Sequence, residues 1–539
     1  MTRTSIMARL PARADSTPQI LEMQALPGQK LSEAIWLSGL VGPQSLCAGL
    51  ARCGRCRVRY LEQAPAPLAC EEDLLGPEAV SQGWRLACRR QVPDMPEGAT
   101  LALELPCGQE AAPGPAAQEA MPGQDCSMGQ GALALAVDLG TTTLCWQALA
   151  PDGAVAAEGQ ILNPQGGAGA DVMSRLAFAT SPEGRRRLSR LVCERLLETI
   201  RSLPGPVAEI VLAGNTAMTD IFLERDLEGL SRAPYRLSHR GSARFAVEGL
   251  PPVWIPPLAG PFLGGDVACG LLALEAQGVS TPFVLADLGT NGEFALVRES
   301  GAIAMASVPL GPALEGVGPE CGRLAGPDAA ARFTLTPFGL ACSTASGKAL
   351  AAGSAEALAG ISATGYLSLL ALLLRVGFLT PEGQFARRRE GLSPLAARLL
   401  PHVTEGPGTP RMRLPGGLWL SLRDVEELLK VKAAFALALD MLLEDAGLSA
   451  ASLAGIHLAG ALGQHADAQD LEDLGFVPRG AAGLVRACGN ASLAGAALLA
   501  CRPALRQGLA MRMKGVRILQ PERDPGFRER YIRAMRFGG

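Results

Sequence analysis

The sequence predicts a multidomain α/β protein in which a small cysteine-bearing domain precedes two similar α/β halves. Three observations predict it: a D-L-G-T loop that follows a buried strand twice, ordered cysteines near the N-terminus, and an Ala/Pro/Gly-rich stretch between the cysteines and the first loop. A chain of 539 residues is long enough for about three domains. The expected boundaries are a tail over 1–17, the cysteine domain over 18–107, a linker over 108–131, and the two halves over 132–282 and 283–539.

Composition excludes several classes of function. The net charge is −3, and the arginine clusters at 185–187 and 387–389 are interpreted as solvated faces, so a nucleic-acid partner is not expected. No apolar run reaches the length of a membrane span, and the N-terminus lacks the apolar core of a signal peptide. Fourteen cysteines without a small disulfide framework favour a cytoplasmic protein. The four scattered histidines disfavour a histidine-based metal site or a Ser-His-Asp triad.

The first loop that organises the chain is LALAVDLGTTTL at 133–144. A buried strand ends in an acidic residue, and the glycine after it lets the backbone approach a ligand. Threonine hydroxyls and backbone N–H groups can then hold phosphate oxygens, while the carboxylate faces Mg²⁺ or its waters. The candidate residues are Asp138, Gly140, Thr141, Thr142 and Thr143.

The second loop, FVLADLGTNGE at 283–293, repeats the same core. One such loop alone could be an ordinary β-turn, but two copies a domain's length apart predict a duplicated fold that closes on a nucleotide from both sides. Glu293 brings a further acceptor into the cleft or else lies exposed on a strand. The candidate residues are Asp287, Gly289, Thr290, Asn291, Gly292 and Glu293.

Near the N-terminus, three cysteines stand in C-x5-C-x2-C spacing and a fourth follows in GWRLAC. Three thiolates on one glycine-punctuated loop with a fourth from a distant strand are typical of a [2Fe–2S] site, and the pattern resembles the adrenodoxin-like branch of ferredoxins. A four-thiolate zinc site is the alternative, although such sites usually pair two C-x2-C units. Cys70 is the rival for the fourth position. The predicted ligands are Cys47, Cys53, Cys56 and Cys88.

The stretch at 108–131 has no hydrophobic periodicity and is rich in Ala, Pro, Gly and Gln. It predicts a flexible tether that lets the cysteine domain swing over roughly 25–30 Å. Such a reach exceeds any useful tunnelling distance, so the tether indicates that the domain must dock against something to deliver an electron.

Further strand–turn–helix patterns occur within the two halves. Asn215 in LAGNTAMT is a helix cap or a ligand contact, and Asp266 in FLGGDVACG is a cap, the favoured interpretation, or a general base that orients water and contacts metal. Gly460 and Gly463 in LAGALGQ open a turn against which a nucleoside can lie. Glu315 lies in a Gly/Pro-punctuated loop and is a candidate nucleotide contact.

Together these segments carry a resemblance to a known family. The strand with DLGTTT, its echo DLGTNG and the LAGALG turn resemble the nucleotide-binding superfamily of actin, heat-shock chaperone ATPases and sugar kinases. The motifs NPQGGAGADVMSRL, LAGNTAMT, FLGGDVACG and GNASLAGA, together with the cysteine domain, resemble the reductive activators of corrinoid proteins. The resemblance implies an N-terminal β-grasp ferredoxin-like domain followed by two ribonuclease-H-like subdomains.

The resemblance also implies a function. Such a protein would use ATP, Mg²⁺ and a [2Fe–2S] cluster to return a methyltransferase corrinoid from Co(II) to Co(I). Its partners would be a corrinoid protein and an electron donor such as a ferredoxin or flavoprotein, and a homodimer is compatible with the family. Two alternatives stay open: a sugar-kinase-type small-molecule kinase with an accessory redox domain, and a redox-sensing module that clamps ATP without turnover.

Overall fold

The computed structural model describes residues 3–10, 19–38, 51, 54, 56–96, 98–106, 131–315, 318–354, 356–404, 409–524 and 526–538. The chain divides into two compact units. The first unit comprises residues 1–120 and 162–202, and the second comprises residues 121–161 and 203–539. The predicted linker, except for its last residue, and the predicted ligands Cys47 and Cys53 lie outside the described residues.

A mixed five-stranded sheet forms the core of the first unit. Its strands are β1 (Thr4–Leu10), β2 (Gln19–Ala25), β3 (Arg57–Tyr60), β4 (Trp84–Leu86) and β5 (Thr100–Glu104). They lie in the order β2-β1-β5-β3-β4, with β1 parallel to β5 and antiparallel to β2. This is the strand order of a β-grasp sheet, as predicted for the N-terminal domain.

The predicted N-terminal tail over 1–17 is wrong for residues 4–10. These residues form β1, which lies between β2 and β5 in the sheet. Every second residue of β1 faces the core, and Ile6 and Ala8 are fully buried. The period-two pattern of TSIMARL is short and includes an arginine, so the sequence signal for a strand is weak.

Helices from two separate stretches complete the first unit. The sequence placed 162–202 in the first nucleotide-binding half, but the structure groups this segment with the N-terminal domain. Two 3₁₀ turns, Ala87–Arg89 and Pro164–Ala168, lie among the helices. The helices are α1 (Leu31–Leu37), α2 (Ala69–Leu75), α3 (Pro77–Ser81), α4 (Val172–Ala179) and α5 (Pro182–Ser202).

The first half of the second unit contains a six-stranded sheet. Its strands are β6 (Leu133–Leu139), β7 (Thr143–Leu149), β8 (Val155–Leu162), β9 (Val207–Gly214), β10 (Ala243–Phe245) and β11 (Val253–Ile255). They lie in the order β10-β11-β9-β6-β7-β8. The helices of this half are α6 (Thr216–Phe222), α7 (Glu228–Ser231) and α8 (Gly265–Ala276).

The second half contains the remaining elements. Its strands are β12 (Phe283–Leu288), β13 (Asn291–Val297), β14 (Ile303–Pro309), β15 (Ala329–Thr336), β16 (Gly339–Thr344), β17 (Ala349–Leu350), β18 (Gly360–Ile361), β19 (Val403–Thr404), β20 (Arg411–Arg413), β21 (Trp419–Ser421), β22 (Gly455–Ala459), β23 (Val485–Ala487) and β24 (Arg517–Ile518). Its helices are α9 (Ala363–Arg375), α10 (Leu422–Ala446), α11 (Gly460–His465), α12 (Ala468–Leu474), α13 (Ala491–Cys501), α14 (Leu505–Lys514) and α15 (Phe527–Ala534).

The central strands of the two halves repeat one topology. The main sheet of the second half has the order β23-β22-β12-β13-β14-β24, and two smaller sheets have the orders β17-β16-β15-β18 and β19-β20-β21. β6 is antiparallel to β7 and parallel to β9, and β12 is likewise antiparallel to β13 and parallel to β22. The predicted duplication is therefore confirmed. No described helix has the length and apolar character needed to cross a membrane.

Helices α8 and α13 join the halves through one hydrophobic core. That core contains Val211 from β9, Leu285 from β12 and Leu271 from α8. The helices approach closely because both carry small residues at their contact, Gly270 on α8 and Gly495 on α13. A Cβ added at Gly495 of α13 would lie 2.0 Å from the carbonyl oxygen of Cys269 on α8. The contact is with backbone, which cannot rotate away as a side chain can.

We expect Gly495→Ala to lower the free energy of unfolding by about 1–3 kcal/mol, because the new methyl group must push α13 away from α8. The matched control is Gly508→Ala on α14, where an added Cβ meets nothing within 4 Å. The control should change stability little, or raise it by up to about 1 kcal/mol. Denaturant unfolding followed by circular dichroism measures both. Equal transition midpoints for the two variants would contradict the close packing of α8 and α13.

Candidate functional site

The first predicted phosphate loop is the turn between β6 and β7. Asp138 is the last residue but one of β6 and pairs with Cys145 across the hairpin. A Cβ at Gly140 would lie 2.7 Å from the carbonyl oxygen of Thr143, so the turn requires a glycine. The predicted strand and tight turn are therefore confirmed, with Thr143 lying in β7.

The second predicted loop has the same construction between β12 and β13. The N–H of Gly289 donates to the carbonyl oxygen of Asn291 at 3.1 Å, which closes the turn. Asn291 and Gly292 belong to β13 rather than to the turn. The carbonyl oxygen of Thr290 accepts the N–H groups of Leu310 and Gly311, so this turn is fixed to the chain beyond β14.

Four carboxylates of the second unit interact electrostatically at these strand ends. Asp287 and Glu293 are directly opposite each other in the β12–β13 pair. The negative charges of Asp266 and Asp287 oppose ionisation of Glu293. Asp266 is the second residue of α8, and the negative charges of Asp287 and Asp138 repel its ionised form. The three aspartates are partly exposed, whereas Glu293 is buried. We call these residues the carboxylate cluster: Asp138, Asp266, Asp287 and Glu293.

Burial raises the pKa of every member of the carboxylate cluster, and repulsion between carboxylates raises it further for Asp266, Asp287 and Glu293. Desolvation by the surrounding protein, followed by repulsion from Asp287, raises the pKa of Asp266 to about 8. Desolvation and repulsion from Asp138 raise the pKa of Asp287 to about 7. The pKa of Glu293 is raised well above its usual value by the same two causes, with Asp266 the largest source of repulsion. The cluster therefore repels additional negative charge and attracts a cation.

Neutral donors from other elements hold two of the carboxylates. Asn490 Nδ2 and Ser492 Oγ, at the start of α13, donate to the two oxygens of Asp138, each at 2.8 Å. These bonds lower the pKa of Asp138, although burial raises it overall. Asn215 Nδ2 donates to Glu293 Oε1 at 2.9 Å, and so links the two halves. These bonds fix the carboxylates without neutralising their charge.

Sequence reasoning missed Asn490 and Ser492 as partners of Asp138. The only sequence signal was local: Asn490 precedes a helix, and its side chain does accept the N–H of Leu493 as a cap. Asn215 was predicted to be either a cap or a ligand contact, and capping is confirmed because its side-chain oxygen accepts the N–H of Ala217. Its amide nitrogen remains available to bond Glu293.

The favoured interpretation of Asp266 as a helix cap is wrong. Gly264 is the N-cap of α8, and Asp266 lies one position inside the helix start. Its Oδ1 accepts the N–H of its neighbour Val267 at 2.8 Å, and the remainder of the carboxylate belongs to the acidic cluster. The glycine pair before Asp266 allows this placement, since a Cβ at Gly264 would lie 2.2 Å from the carbonyl oxygen of Gly214.

The two glycines predicted to border a nucleoside differ in their surroundings. Gly460 begins α11 with a φ of 84°, and a Cβ there would lie 3.4 Å from Asp287 Oδ1. Gly460 therefore adjoins the carboxylate cluster. Gly463 instead packs back on its own strand, because an added Cβ would lie 2.5 Å from the carbonyl oxygen of Leu458. Glu315 ends a 3₁₀ turn that begins at Pro312, and its side chain lies outside the described residues.

In the first unit, two of the predicted cluster ligands lie at one end of a strand pair. Cys56 immediately precedes β3, and Cys88 lies in the turn that follows β4. β3 and β4 are antiparallel, and the N–H of Ala87 donates to the carbonyl oxygen of Cys56 at 2.9 Å. Both cysteines are buried, with exposures of 1% and 4%. The structure therefore brings these two predicted ligands together.

A buried ion-pair network holds helix α2 against the turn that contains Cys88. Glu71 is fully buried, and its carboxylate accepts the N–H of Leu86 at 2.9 Å and pairs with Arg90. Burial opposes ionisation of Glu71, but the bonds from Arg90 and from backbone N–H groups lower its pKa overall. Cys70 precedes Glu71 on α2. The acidic residues after Cys70 would be expected to repel an anionic cluster, but the pairing of Glu71 with Arg90 offsets the charge nearest to Cys70.

Comparisons with known proteins agree with this architecture. Residues 133–278 match the family described as the RACo middle region, and residues 281–538 match the family described as the C-terminal domain of RACo, the ASKHA domain. The solved structure of a protein described as "Reductive activator for corrinoid, iron-sulfur protein" superimposes with a TM-score of 0.65 at 20% identity, over 99% of this chain and 98% of the other. That likeness establishes the fold.

Two curated relatives have more similar sequences. The corrinoid activation enzyme RamQ of Eubacterium limosum is 28% identical over 392 residues, which are 68% of this chain and 63% of that protein. A protein of Methanosarcina barkeri, named [Co(II) methylated amine-specific corrinoid protein] reductase, is 27% identical over 257 residues, which are 44% of this chain and 43% of that protein. The chain thus matches less than two thirds of either relative's length. From residue 133 to residue 538 the chain carries the RACo middle region followed by the ASKHA domain, and so belongs to the RACo family.

Proposed function

We propose that this protein reactivates a corrinoid protein by ATP-dependent one-electron reduction of its cobalt from Co(II) to Co(I). The observation that carries the proposal is the membership of residues 133–538 in the RACo family, together with the chain's similarity to a corrinoid activation enzyme and to a Co(II) corrinoid protein reductase. The carboxylate cluster would bind Mg²⁺–ATP, and Cys56 and Cys88 would bind the redox cluster that such a reaction needs.

The carboxylate cluster fits a Mg²⁺–ATP complex. Hard oxygen donors suit Mg²⁺, and the charges that raise the pKa values of Asp266 and Asp287 come from other carboxylates of the cluster. Mg²⁺ bound there would offset the repulsion between the carboxylates and the phosphates of ATP. Asp138 and Asp287 would face the metal, and Asp266 would orient a water. The turns at Gly140–Thr142 and Gly289–Thr290 would hold phosphate oxygens.

The N-terminal domain fits a [2Fe–2S] cluster of the ferredoxin type. Cys56 and Cys88 are buried at the same end of the β3–β4 pair, which is the placement that two ligands of one cluster require. Cys47 and Cys53 would complete the set on the loop before β3. Such a cluster would supply one electron at a time. A four-thiolate zinc site would have the same ligands but could not carry an electron.

ATP makes physical sense because the reduction of Co(II) to Co(I) is unfavourable with ordinary cellular donors. A nucleotide that binds one conformation of the two halves more tightly shifts the protein toward that conformation. In our proposal, only that conformation binds the corrinoid protein, and the binding changes the ligands of the cobalt. Nucleotide binding would then promote the electron transfer. A ferredoxin or flavoprotein would reload the N-terminal domain.

The proposal predicts ATP-dependent formation of Co(I) in an anaerobic assay with a Co(II) corrinoid protein and a chemical reductant, followed by the Co(I) absorbance. Asp287→Asn should lower the ATP-dependent rate by about 100-fold, because one of the carboxylates that faces the metal is lost. The control Asp328→Asn alters an exposed aspartate and should retain the full rate. ATP-independent reduction, or transfer of phosphate to a small acceptor without Co(I), would exclude the proposed function.

A second prediction separates the two candidates for the fourth cluster ligand. Cys88→Ser should abolish the visible absorbance of the cluster and the stoichiometric iron and sulfide, whereas Cys70→Ser should leave them intact. Both variants should still bind nucleotide, because the carboxylate cluster lies in the other unit. Iron and sulfide analysis, visible spectroscopy and nucleotide titration measure these results. Retention of the cluster in Cys88→Ser with its loss in Cys70→Ser would exchange the two assignments, and stoichiometric zinc would exclude both.

A third prediction concerns pH. The pKa values of Asp266 and Asp287, about 8 and about 7, exceed the value of about 4 of an unfolded aspartate. Between pH 4 and 8 the folded state therefore binds more protons than the unfolded state, and stability should fall as the pH rises. Thermal melts of the protein in EDTA should show a midpoint that falls by several degrees from pH 5 to pH 8.5.

Asp266→Asn should flatten this pH dependence, because the amide does not ionise, while Asp328→Asn should preserve it. Mg²⁺ should raise the melting temperature more at pH 8 than at pH 5.5, since it offsets the repulsion that ionisation creates. A pH profile that is identical in the wild-type protein and in Asp266→Asn would contradict the assignment of the titration to the carboxylate cluster.

A further inference from the structure

Trp36 is buried by a part of the chain outside its own domain. It lies near the end of α1, has an exposure of 6%, and is absent from the hydrophobic core described for the β-grasp sheet. Its indole Nε1 donates to the carbonyl oxygen of Pro164 at 3.0 Å. Its ring meets the ring of Phe178 edge to face, with centroids 6.1 Å apart. Trp36 is therefore in direct contact with the segment 162–202.

The glycine-rich part of this segment is shaped to receive the indole ring. A Cβ added at Gly167 would lie 2.0–2.3 Å from three atoms of the Trp36 ring, so the ring lies flat on bare backbone. Any other residue at position 167 would occupy the volume of the ring. This is the close approach that a glycine permits and that no larger residue does.

The segment is held in this shape by its own buried polar residues. Gln165 is fully buried and its Nε2 donates to the carbonyl oxygen of Leu188 on α5 at 3.1 Å. Arg175 has an exposure of 1%, and its Nε donates to the carbonyl oxygen of Gly169 at 3.1 Å. Asp171 caps α4 by accepting the N–H of Ser174 at 2.8 Å. The polar residues of the motif NPQGGAGADVMSRL thus build a fixed receptor surface.

A pair of opposite charges adds to the contact. Glu33 lies in the first turn of α1, and Arg187 lies on α5. Burial lowers the pKa of Arg187, and the charge of Glu33 opposes that lowering. The charges of Glu33 on α1 and Arg187 on α5 are therefore close enough to interact, which adds a second element of segment 162–202 to the surroundings of α1.

We propose that segment 162–202 is an internal docking surface for the N-terminal domain. Trp36 is the anchoring side chain, and the backbone at Gly167 is the surface against which its ring packs. A glycine-rich loop before a helix usually suggests a phosphate site. Here the loop contacts the indole ring of Trp36 on α1. The occupant is this chain's own β-grasp domain, which the segment 108–131 connects to the second unit. The role of the dock in electron delivery rests on the proposed function; the dock itself does not.

Docking gives the electron carrier a defined position. Because the domain is joined to the rest of the chain, its local concentration at the docking surface is high, and an aromatic anchor with one hydrogen bond can hold it reversibly.

Hydrogen–deuterium exchange on the full-length protein with its cluster tests the proposal. Trp36→Ala and Gly167→Ala should each speed the exchange of amides in both 31–38 and 164–178 by at least about tenfold, because each variant separates the two surfaces. Trp36→Phe keeps a ring but loses the hydrogen bond, and should give a smaller increase. The controls are Gly508→Ala, whose Cβ meets open space, and Trp84→Ala, which removes a partly exposed tryptophan on β4. Neither control should alter exchange in 164–178.

Loss of the cluster absorbance in Trp36→Ala would mean that this variant has damaged the β-grasp domain itself. The Gly167→Ala variant then decides the outcome, because it leaves the sequence of that domain unchanged. Unaltered exchange of 31–38 in Gly167→Ala would overturn the proposal. Exchange that rises in 164–178 alone would also overturn it, since the segment would then have lost only its own structure. The experiment needs neither ATP nor a corrinoid protein, so a failure to form Co(I) leaves its result standing, and the reverse also holds.

Discussion

The arrangement of the second unit depends on holding four carboxylates together at the ends of two repeated strands. Burial raises the pKa of each, and repulsion between carboxylates raises it further for Asp266, Asp287 and Glu293, so full ionisation of the cluster is electrostatically unfavourable. A site of this kind favours the binding of a cation, which would reduce the repulsion between the carboxylates. Because Asp138 and Asp287 come from different halves, relief of the repulsion by a bound cation also favours one arrangement of the halves over others.

Neutral contacts between the halves determine how the carboxylates are placed. α8 and α13 pack at the distance that Gly495 allows, and the start of α13 brings Asn490 and Ser492 to Asp138. Asn215 performs the corresponding task for Glu293. Each donor comes from a helix start, where a short polar side chain can both cap the helix and reach a neighbouring element. A shift of α13 would therefore move the donors of Asp138, and a shift of α6 would move the donor of Glu293.

The sequence predicted what depends on neighbouring residues. The two D-L-G-T loops, the hairpins that contain them, the cap at Asn215 and the duplication of the halves follow from local patterns of strand, glycine and polar residue. It did not predict the bonds from Asn490 and Ser492, because these residues are separated from Asp138 by 352 and 354 positions and only tertiary packing brings them together. Asp266 was misjudged for a related reason: the cap position had been taken by Gly264, a residue that the close approach of Gly214 requires to be glycine.

The segment 162–202 shows the limit of motif reasoning most clearly. In the sequence, its glycine-rich motif contributed only to the family resemblance, and the pattern does not state which group approaches the backbone. At Gly140 the neighbour is the chain's own turn, at Gly460 it is a strand end beside Asp287, and at Gly167 it is an indole ring from another part of the chain. A glycine-rich loop is thus evidence of close contact, and the identity of the contacting group has to come from the fold. At Gly167 the fold identifies this group as the indole ring of Trp36 on α1, which the local pattern of glycines could not indicate.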